Sequence, residues 1–329
     1  MVTFLVIRFS SIGDIVLTTP VIRNLKNSSG DVVIHYITKP AFMEILEANP
    51  YIDHLHILDE VQSKTTSRLK EIEFDYIIDL QNNFRSMDIK KNIKRIAFTV
   101  DKLNFKKWLL VNLKINRMPD LHIVDRYMAT IKPFVEEADD QRLEYFLKEK
   151  DKVSLADLPP AFSKGFIAFV IGARHETKKL PPGKIIEILN GIKQPVILIG
   201  GPEDHAAAEN LISHLKDKPI LNGCGKWSIN QSASVISQAN VVLTHDTGMM
   251  HIAAAFGKKI ITIWGNTIPD LGMYAYKADP ASLNFEINDL KCRPCSKLGK
   301  TSCPKKHFDC MMKQDTSKIA EEANRLFTS

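Results

Sequence analysis

Apolar and polar positions along this chain alternate in blocks rather than singly. Residues 2–9, VTFLVIRF, are almost wholly apolar; SSIGD follows, and IVLTTPVIRNLK then reads as a helix around 15–27. VVIHYIT (32–38) precedes the helix-like AFMEILEA. HLHIL (54–58) leads to a polar helix near 63–73, and FDYIIDL (74–80) and RIAFTV (95–100) end the series. A continuous apolar run bounded by polar loops suits a strand buried on both faces of a parallel sheet. The repeated strand–helix–strand rhythm predicts a doubly wound α/β domain.

The rhythm breaks in LKEKDKVSLADLPPAFSKG (147–165), a charged, proline-containing linker candidate, and then restarts. GFIAFVIG (165–172), a helix from Pro182, PVILIGG (195–201), a helix around 203–216 and PILNGCG (219–225) come first. ANVVLTHD (239–246), a helix near 248–256 and KIITIWG (259–265) complete the second series. DTSKIAEEANRLF (315–327) opens with capping residue types and reads as a final helix. The expected organisation is an N-terminal Rossmann-like domain over 1–155, a C-terminal Rossmann-like domain with a Cys-rich tail over 156–312, and a terminal helix over 313–329 that packs back on the N-terminal domain.

Length and composition agree with this. The chain has 329 residues, enough for about two domains, with 44% hydrophobic and 25% charged positions. A net charge of +6 permits an anionic ligand or membrane surface without demanding nucleic acid, and no nucleic-acid partner is expected. No apolar run reaches the roughly 18 residues that span a bilayer. The first residues lack a basic segment and a small-residue cleavage site, so a cytoplasmic location is expected. The first β–α turn also lacks the G-x-G-x-x-G of a dehydrogenase.

Three β–α loops carry candidate chemistry. In LTHDTGMMHIAAAFGKKIITIWGNTIP (243–269), Asp246, Thr247 and Gly248 form a tight loop before a small-residue helix, whose first N–H groups suit a phosphate. Asp246 could instead cap that helix, and His251 one turn in could be a packed core histidine. GARHETKKLPP (172–182) places Lys178 and Lys179 at the carboxyl end of a strand, where doubly wound folds bind ligands. In GGPEDHAAAE (200–209), Glu203 or Asp204 could hold a ribose hydroxyl or merely start a helix.

Taken in order, RFSSIGDIVLTTPVIRNLK, DLQNNFRS (79–86), HIVDRY (122–127), TKKLP, GGPEDHAAA and HDTGMMHIAAAFGKKIITIWGNTIP resemble glycosyltransferase family 9, best known for the heptosyltransferases of lipopolysaccharide core assembly. The resemblance covers nearly the whole chain, to about residue 310. It implies an α/β GT-B architecture, two Rossmann-like doubly wound domains facing a central cleft, and an inverting, metal-independent transfer. The implied donor is a nucleotide sugar, with ADP-heptose the expectation and no other cofactor. The acceptor is a lipid-linked core oligosaccharide at the inner membrane face. The resemblance places the catalytic base on Asp14; capping of the helix at 15–27 is the competing reading. Ser11 and Gly13 let the opening loop approach the donor. Lys178 matches the lysine of the family's K-R-W-P element, written K-K-L-P here, which leaves Lys179 and Leu180 without a role. Glu203, Asp246, Thr247, Gly248 and His251 complete the implied donor contacts. A family member using another nucleotide sugar and acceptor is an alternative, as is a non-catalytic nucleotide-sugar-binding protein on the same fold.

Two segments lie outside this scheme. KCRPCSKLGKTSCPKKHFDCM (291–311) holds Cys292, Cys295, Cys303, His307 and Cys310, which could bind zinc tetrahedrally or form a packed, reduced cluster; no metal is the expectation. NFKKWLLVNLKINRM (104–118) is basic and aromatic. Such a stretch can lie on an anionic membrane, or be an ordinary amphipathic helix covering the sheet.

Overall fold

The computed structural model describes residues 1–28, 30–215 and 218–329. The chain forms two compact α/β units, residues 1–104 with 121–146 and residues 105–120 with 147–329.

The first unit holds β1 (Val2–Ile7), β2 (Val32–Thr38), β3 (His54–Ile57), β4 (Tyr76–Asp79) and β5 (Ile96–Thr99), in the order β3-β2-β1-β4-β5 with every pair parallel. Its helices are α1 (Ile12–Val16), α2 (Thr19–Lys26), α3 (Gln62–Lys70), α4 (Phe84–Ile93) and α6 (Ile123–Met128). The five apolar runs are the five strands. AFMEILEA departs from expectation: Pro40–Ile45 is a 3₁₀ turn, with a proline at its start. The returning segment, residues 121–146, is fastened to α2 by buried Arg23, whose guanidinium pairs with Asp139 (2.7 Å) and Glu144 (2.7 Å).

The second unit holds β6 (Ile167–Val170), β7 (Val196–Ile199), β8 (Ile220–Asn222), β9 (Val241–His245), β10 (Lys259–Ile263) and β11 (Leu283–Phe285). The order β11-β10-β9-β6-β7-β8 is again wholly parallel. Its helices are α5 (Asn104–Trp108, beginning at the junction with the first unit), α7 (Pro182–Gly191), α8 (His205–Ser213), α9 (Ile229–Gln238), α10 (Gly248–Ala255), α11 (Asp309–Met312) and α12 (Thr316–Thr328). The expected helix around 203–216 is seen to Ser213; its position 216 lies outside the described residues. Both strand orders are Rossmann orders, and each reverses its winding once: between β1 and β4, and between β6 and β9. Ligand crevices of doubly wound sheets open at such reversals, beyond the carboxyl ends of the strands.

Two expectations about organisation are corrected. The boundary falls after Phe146 rather than after 155, and residues 105–120 join the second unit. The terminal helix packs on the second unit, not on the N-terminal domain. Ile319, Ala320, Ala323 and Leu326 of α12 are buried in that unit's core beside α7 residues Ile185, Ile188 and Leu189. Thr316 donates to Glu187 (2.7 Å), and Asn324 donates to the Gly191 carbonyl (2.9 Å). The apolar stripe of α12 is legible in sequence, but a stripe does not name its partner. No helix among the described residues is long and apolar enough to cross a membrane.

On β2 and β3, His35, His54 and His56 crowd together. His35 Nδ1 lies 2.8 Å from His56 Nε2, and the His35 and His54 rings are 4.4 Å apart. Burial, reinforced by its two histidine neighbours, pushes His35 down to about 4 from an ordinary 6.5. Between those values the unfolded chain binds this proton and the folded chain does not, so stability falls as pH drops through that window. Urea midpoints measured from neutral pH down to about pH 5 should decline, and His35→Gln should flatten the decline. An equally steep decline in the variant would remove His35 as its source.

Candidate active site

In the second unit, the loops that follow β6 and β9 flank the point where the winding reverses. The β6 loop ends in a 3₁₀ turn, Glu176–Lys178, and the β9 loop carries Asp246. Lys178 Nζ pairs with Asp246 Oδ2 (2.6 Å) and donates to the Asp246 carbonyl (3.0 Å). Thr267 Oγ1 donates to the same Oδ2 (2.8 Å). Asp246 is therefore no helix cap. Thr247 occupies that position for α10, and no side chain caps the helix. The first N–H groups of α10 thus stand beside a partly buried ammonium group. A helix amino end carries about half a positive charge, so ammonium and helix end form an electropositive corner fitted to a diphosphate.

The β6 loop is held from several sides. Buried His245 accepts from the Leu180 N–H at Nε2 (3.1 Å), which puts its proton on Nδ1. Burial, with Lys179 adding to it, pushes His245 down to about 3, so the ring stays neutral. Lys179 pairs with Glu176 (3.0 Å) and buried Asp204 (3.1 Å), tying this loop to the one after β7. Lys179 and Leu180, left without a role by the motif, thus shape the loop that aims Lys178. Gly265 lets that loop sit close: a Cβ there would come within 2.7 Å of the Thr177 carbonyl. Asp204 also accepts from the Gly201 N–H (3.0 Å), so of the two acidic candidates it is committed to the loop, whereas Glu203 is exposed. His251 lies buried in the first turn of α10.

In the first unit, the loop between β1 and α1 stands at the other reversal. Asp14 is the third residue of α1. Its Oδ2 accepts from the Ser11 N–H (3.2 Å) and the Ser11 hydroxyl (2.8 Å), and its Oδ1 pairs with Arg8 (2.9 Å). The capping reading therefore holds in part, since Asp14 does close the first turn. Gly13 is buried inside the same turn. The carboxylate is still 22% exposed, within reach of a reactant. Arg8 is buried and donates onward to the Leu80 carbonyl (2.6 Å) and the Tyr127 hydroxyl (2.8 Å). Burial opposes its charge most strongly, but Asp14, Tyr127 and Tyr36 together outweigh burial and hold the guanidinium above its ordinary value.

Arg8, Thr267, His245 and Tyr127 were not among the candidates. The only sequence signal for Arg8 is a cation at the end of an apolar run, and Thr267 stands in the GNTIP stretch without a motif of its own. In the tail, Cys292, Cys295, Cys303 and Cys310 are free thiols, as is Cys224 after β8, and Cys292 Sγ lies 3.9 Å from His307 Nε2. Among the described residues, no group of three His, Cys, Asp or Glu side chains is arranged to hold a metal ion.

Comparison with known proteins bears on the family and the fold. A lipooligosaccharide heptosyltransferase 2 from Haemophilus influenzae is 26% identical over 296 residues, covering 80% of this chain and 84% of that protein. The solved glycosyl transferase family 9 structure from Veillonella parvula covers 99% of this chain and 97% of its own, with a TM-score of 0.77 at 19% identity. The E. coli ADP-heptose lps heptosyltransferase II covers 99% and 98%, with a TM-score of 0.73 at 19% identity. At such identities the structural likeness is one of fold, the two-unit GT-B architecture. The model of glycosyltransferase family 9 (heptosyltransferase) matches residues 63–305, and the chain belongs to that family of glycosyltransferases.

Proposed function

We propose that this protein is an inverting, metal-independent heptosyltransferase. It moves heptose from ADP-heptose to a lipopolysaccharide inner-core acceptor, working in the cytoplasm at the inner membrane face. The observation that carries the reading is Lys178, fixed by Asp246 beside the uncapped amino end of α10. The leaving group of such a transfer is a nucleoside diphosphate, whose charge grows as the glycosidic bond breaks. An ammonium group and oriented N–H groups already in place stabilise that charge without reorganising. Thr247 and Gly248 supply the N–H end, and Glu203 is available to the ribose. Family membership and the ADP-heptose enzyme of the same fold support the choice of donor.

Inversion requires one base to take the proton of the acceptor hydroxyl as that oxygen attacks the anomeric carbon. Asp14 takes this role. Ser11 and Arg8 hold its two oxygens in place, and its partial exposure leaves room for a hydroxyl to donate to it. Arg8 and Ser11 act through Asp14, as positioning residues.

Asp14→Asn should lower turnover by on the order of 10²–10⁴ while ADP affinity stays nearly unchanged. Steady-state transfer assays with parallel calorimetry would check this, and near-normal turnover would leave Asp14 as a cap only. Lys178→Ala should weaken nucleotide binding and slow transfer together, because the lysine meets the diphosphate in ground and transition states alike. Transfer at saturating donor should persist in chelator; strict dependence on added magnesium or manganese would overturn the charge scheme. In a donor screen, ADP should raise the melting temperature more than UDP or GDP, and ADP-heptose should turn over.

A further inference from the structure

The second unit concentrates positive charge in two segments that touch each other. Residues 105–119 contain Lys106, Lys107, Lys114 and Arg117 and no acid, and residues 290–308 contain six Lys or Arg and no acid. The whole chain nets only +6, so everything outside these segments is acidic by four charges. Lys114 Nζ joins the two, donating to the Cys292 (3.2 Å) and Pro294 (2.6 Å) carbonyls.

The first segment does not cover the sheet as an ordinary amphipathic helix would. α5 continues as a wider helical turn, Leu109–Leu113, and of this run only Leu110 is buried. Phe105 (71% exposed), Trp108 (51%), Leu113 (53%) and Ile115 (44%) stand in solvent, with the Phe105 and Trp108 rings stacked 6.4 Å apart. Beside them a cavity of about 570 Å³ is lined by Val111, Asn112 and Lys114 from one segment and by Lys291, Lys305 and His307 from the other. Lys106, Arg117, Lys291 and Lys305 form no ion pair among the described residues. Asp309, which also lines the cavity, is already paired with Lys313 (2.6 Å) and His307 (3.1 Å).

We propose that this face docks on an anionic phospholipid surface, with Phe105, Trp108, Leu113 and Ile115 entering the headgroup layer and Lys291 and Lys305 meeting lipid phosphate at the cavity. Exposed aromatic and aliphatic side chains flanked by unpaired cations suit that interface, because apolar burial and attraction to anionic lipid then act together. The surface is continuous with the donor loop: the Lys300 N–H donates to Thr177 Oγ1 (2.8 Å), and the Thr177 N–H donates to the Lys300 carbonyl (3.1 Å). Lipid docking would therefore set the Lys178 loop at a fixed height above the membrane. This inference rests on the proposed function only for its purpose, a lipid-linked acceptor.

The binding measurements need no donor. The full chain should co-sediment with vesicles of phosphatidylcholine and phosphatidylglycerol, but not with phosphatidylcholine alone, and added salt should release it. On binding, the fluorescence should shift to the blue, and Trp108→Phe should remove most of that shift. Lys291→Glu combined with Lys305→Glu should weaken vesicle affinity by at least about twenty-five-fold, at about fivefold for each cation lost. Both variants should keep the wild-type melting temperature and full transfer to a water-soluble acceptor fragment. Equal affinity for neutral and anionic vesicles, or unchanged affinity in both variants, would overturn the proposal while leaving the transferase reading intact. Loss of transfer to the soluble fragment in the lysine variant would overturn it as well, by assigning the patch to the glycan.

Discussion

In each unit, the candidate site depends on one feature of doubly wound sheets: the winding reverses once, and the two loops at the reversal part there. A crevice opens for topological reasons before any side chain is chosen. This chain sets a carboxylate and a cation against each other at both reversals, Asp14 with Arg8 and Asp246 with Lys178. The pairs are differently weighted. In the first unit the arginine is buried and the carboxylate is the more exposed partner, so the pair presents a carboxylate. In the second the two partners are about equally buried, and the lysine stands beside the amino end of α10, whose N–H groups add positive potential. One fold, used twice, yields a basic corner and an acidic one.

The loops are stiffened by neighbours with no chemistry of their own. Neutral His245 takes the Leu180 N–H, Lys179 bridges two acids, and Gly265 admits the Thr177 carbonyl. Long side chains such as lysine have many rotamers, and an ammonium that is to meet a ligand in one geometry must be confined to one. Confinement of the backbone on both sides of Lys178, with a carboxylate and a carbonyl at its tip, achieves that. Preorganisation of this kind is what makes electrostatic stabilisation effective, since the charges need not move as the bond breaks.

Much of this was legible from residue order alone. Strand runs are read from composition because strands buried on both faces tolerate few polar residues, and β–α loops follow from the strands. Lys178 and Asp246 were found because they stand in short loops at strand ends. Sheet order was not legible, since parallel strands are paired by long crossovers that leave no local signal. The placement of α12 failed for a related reason: its apolar stripe would fit either unit, and only the groove beside α7 decides. Arg8 escaped because the partners that bury and fix it beside Asp14, Leu80 and Tyr127, are 72 and 119 residues away. The cysteine spacing allowed both a zinc ligand set and a packed cluster, and among the described residues no three such side chains are arranged to hold a metal ion.

The path of the chain between its two units has a consequence of its own. The backbone leaves the first unit at residue 104, returns at 121, and leaves again at 146. Neither unit is therefore a continuous stretch of sequence, and no single cut separates them. A fragment starting at residue 147 would lack the strand of chain that carries Leu110 and Lys114, and one ending at 104 would lack the partners of Arg23. Such interlaced connectivity ties the two halves into one heritable module, which recombination could exchange whole but not by halves.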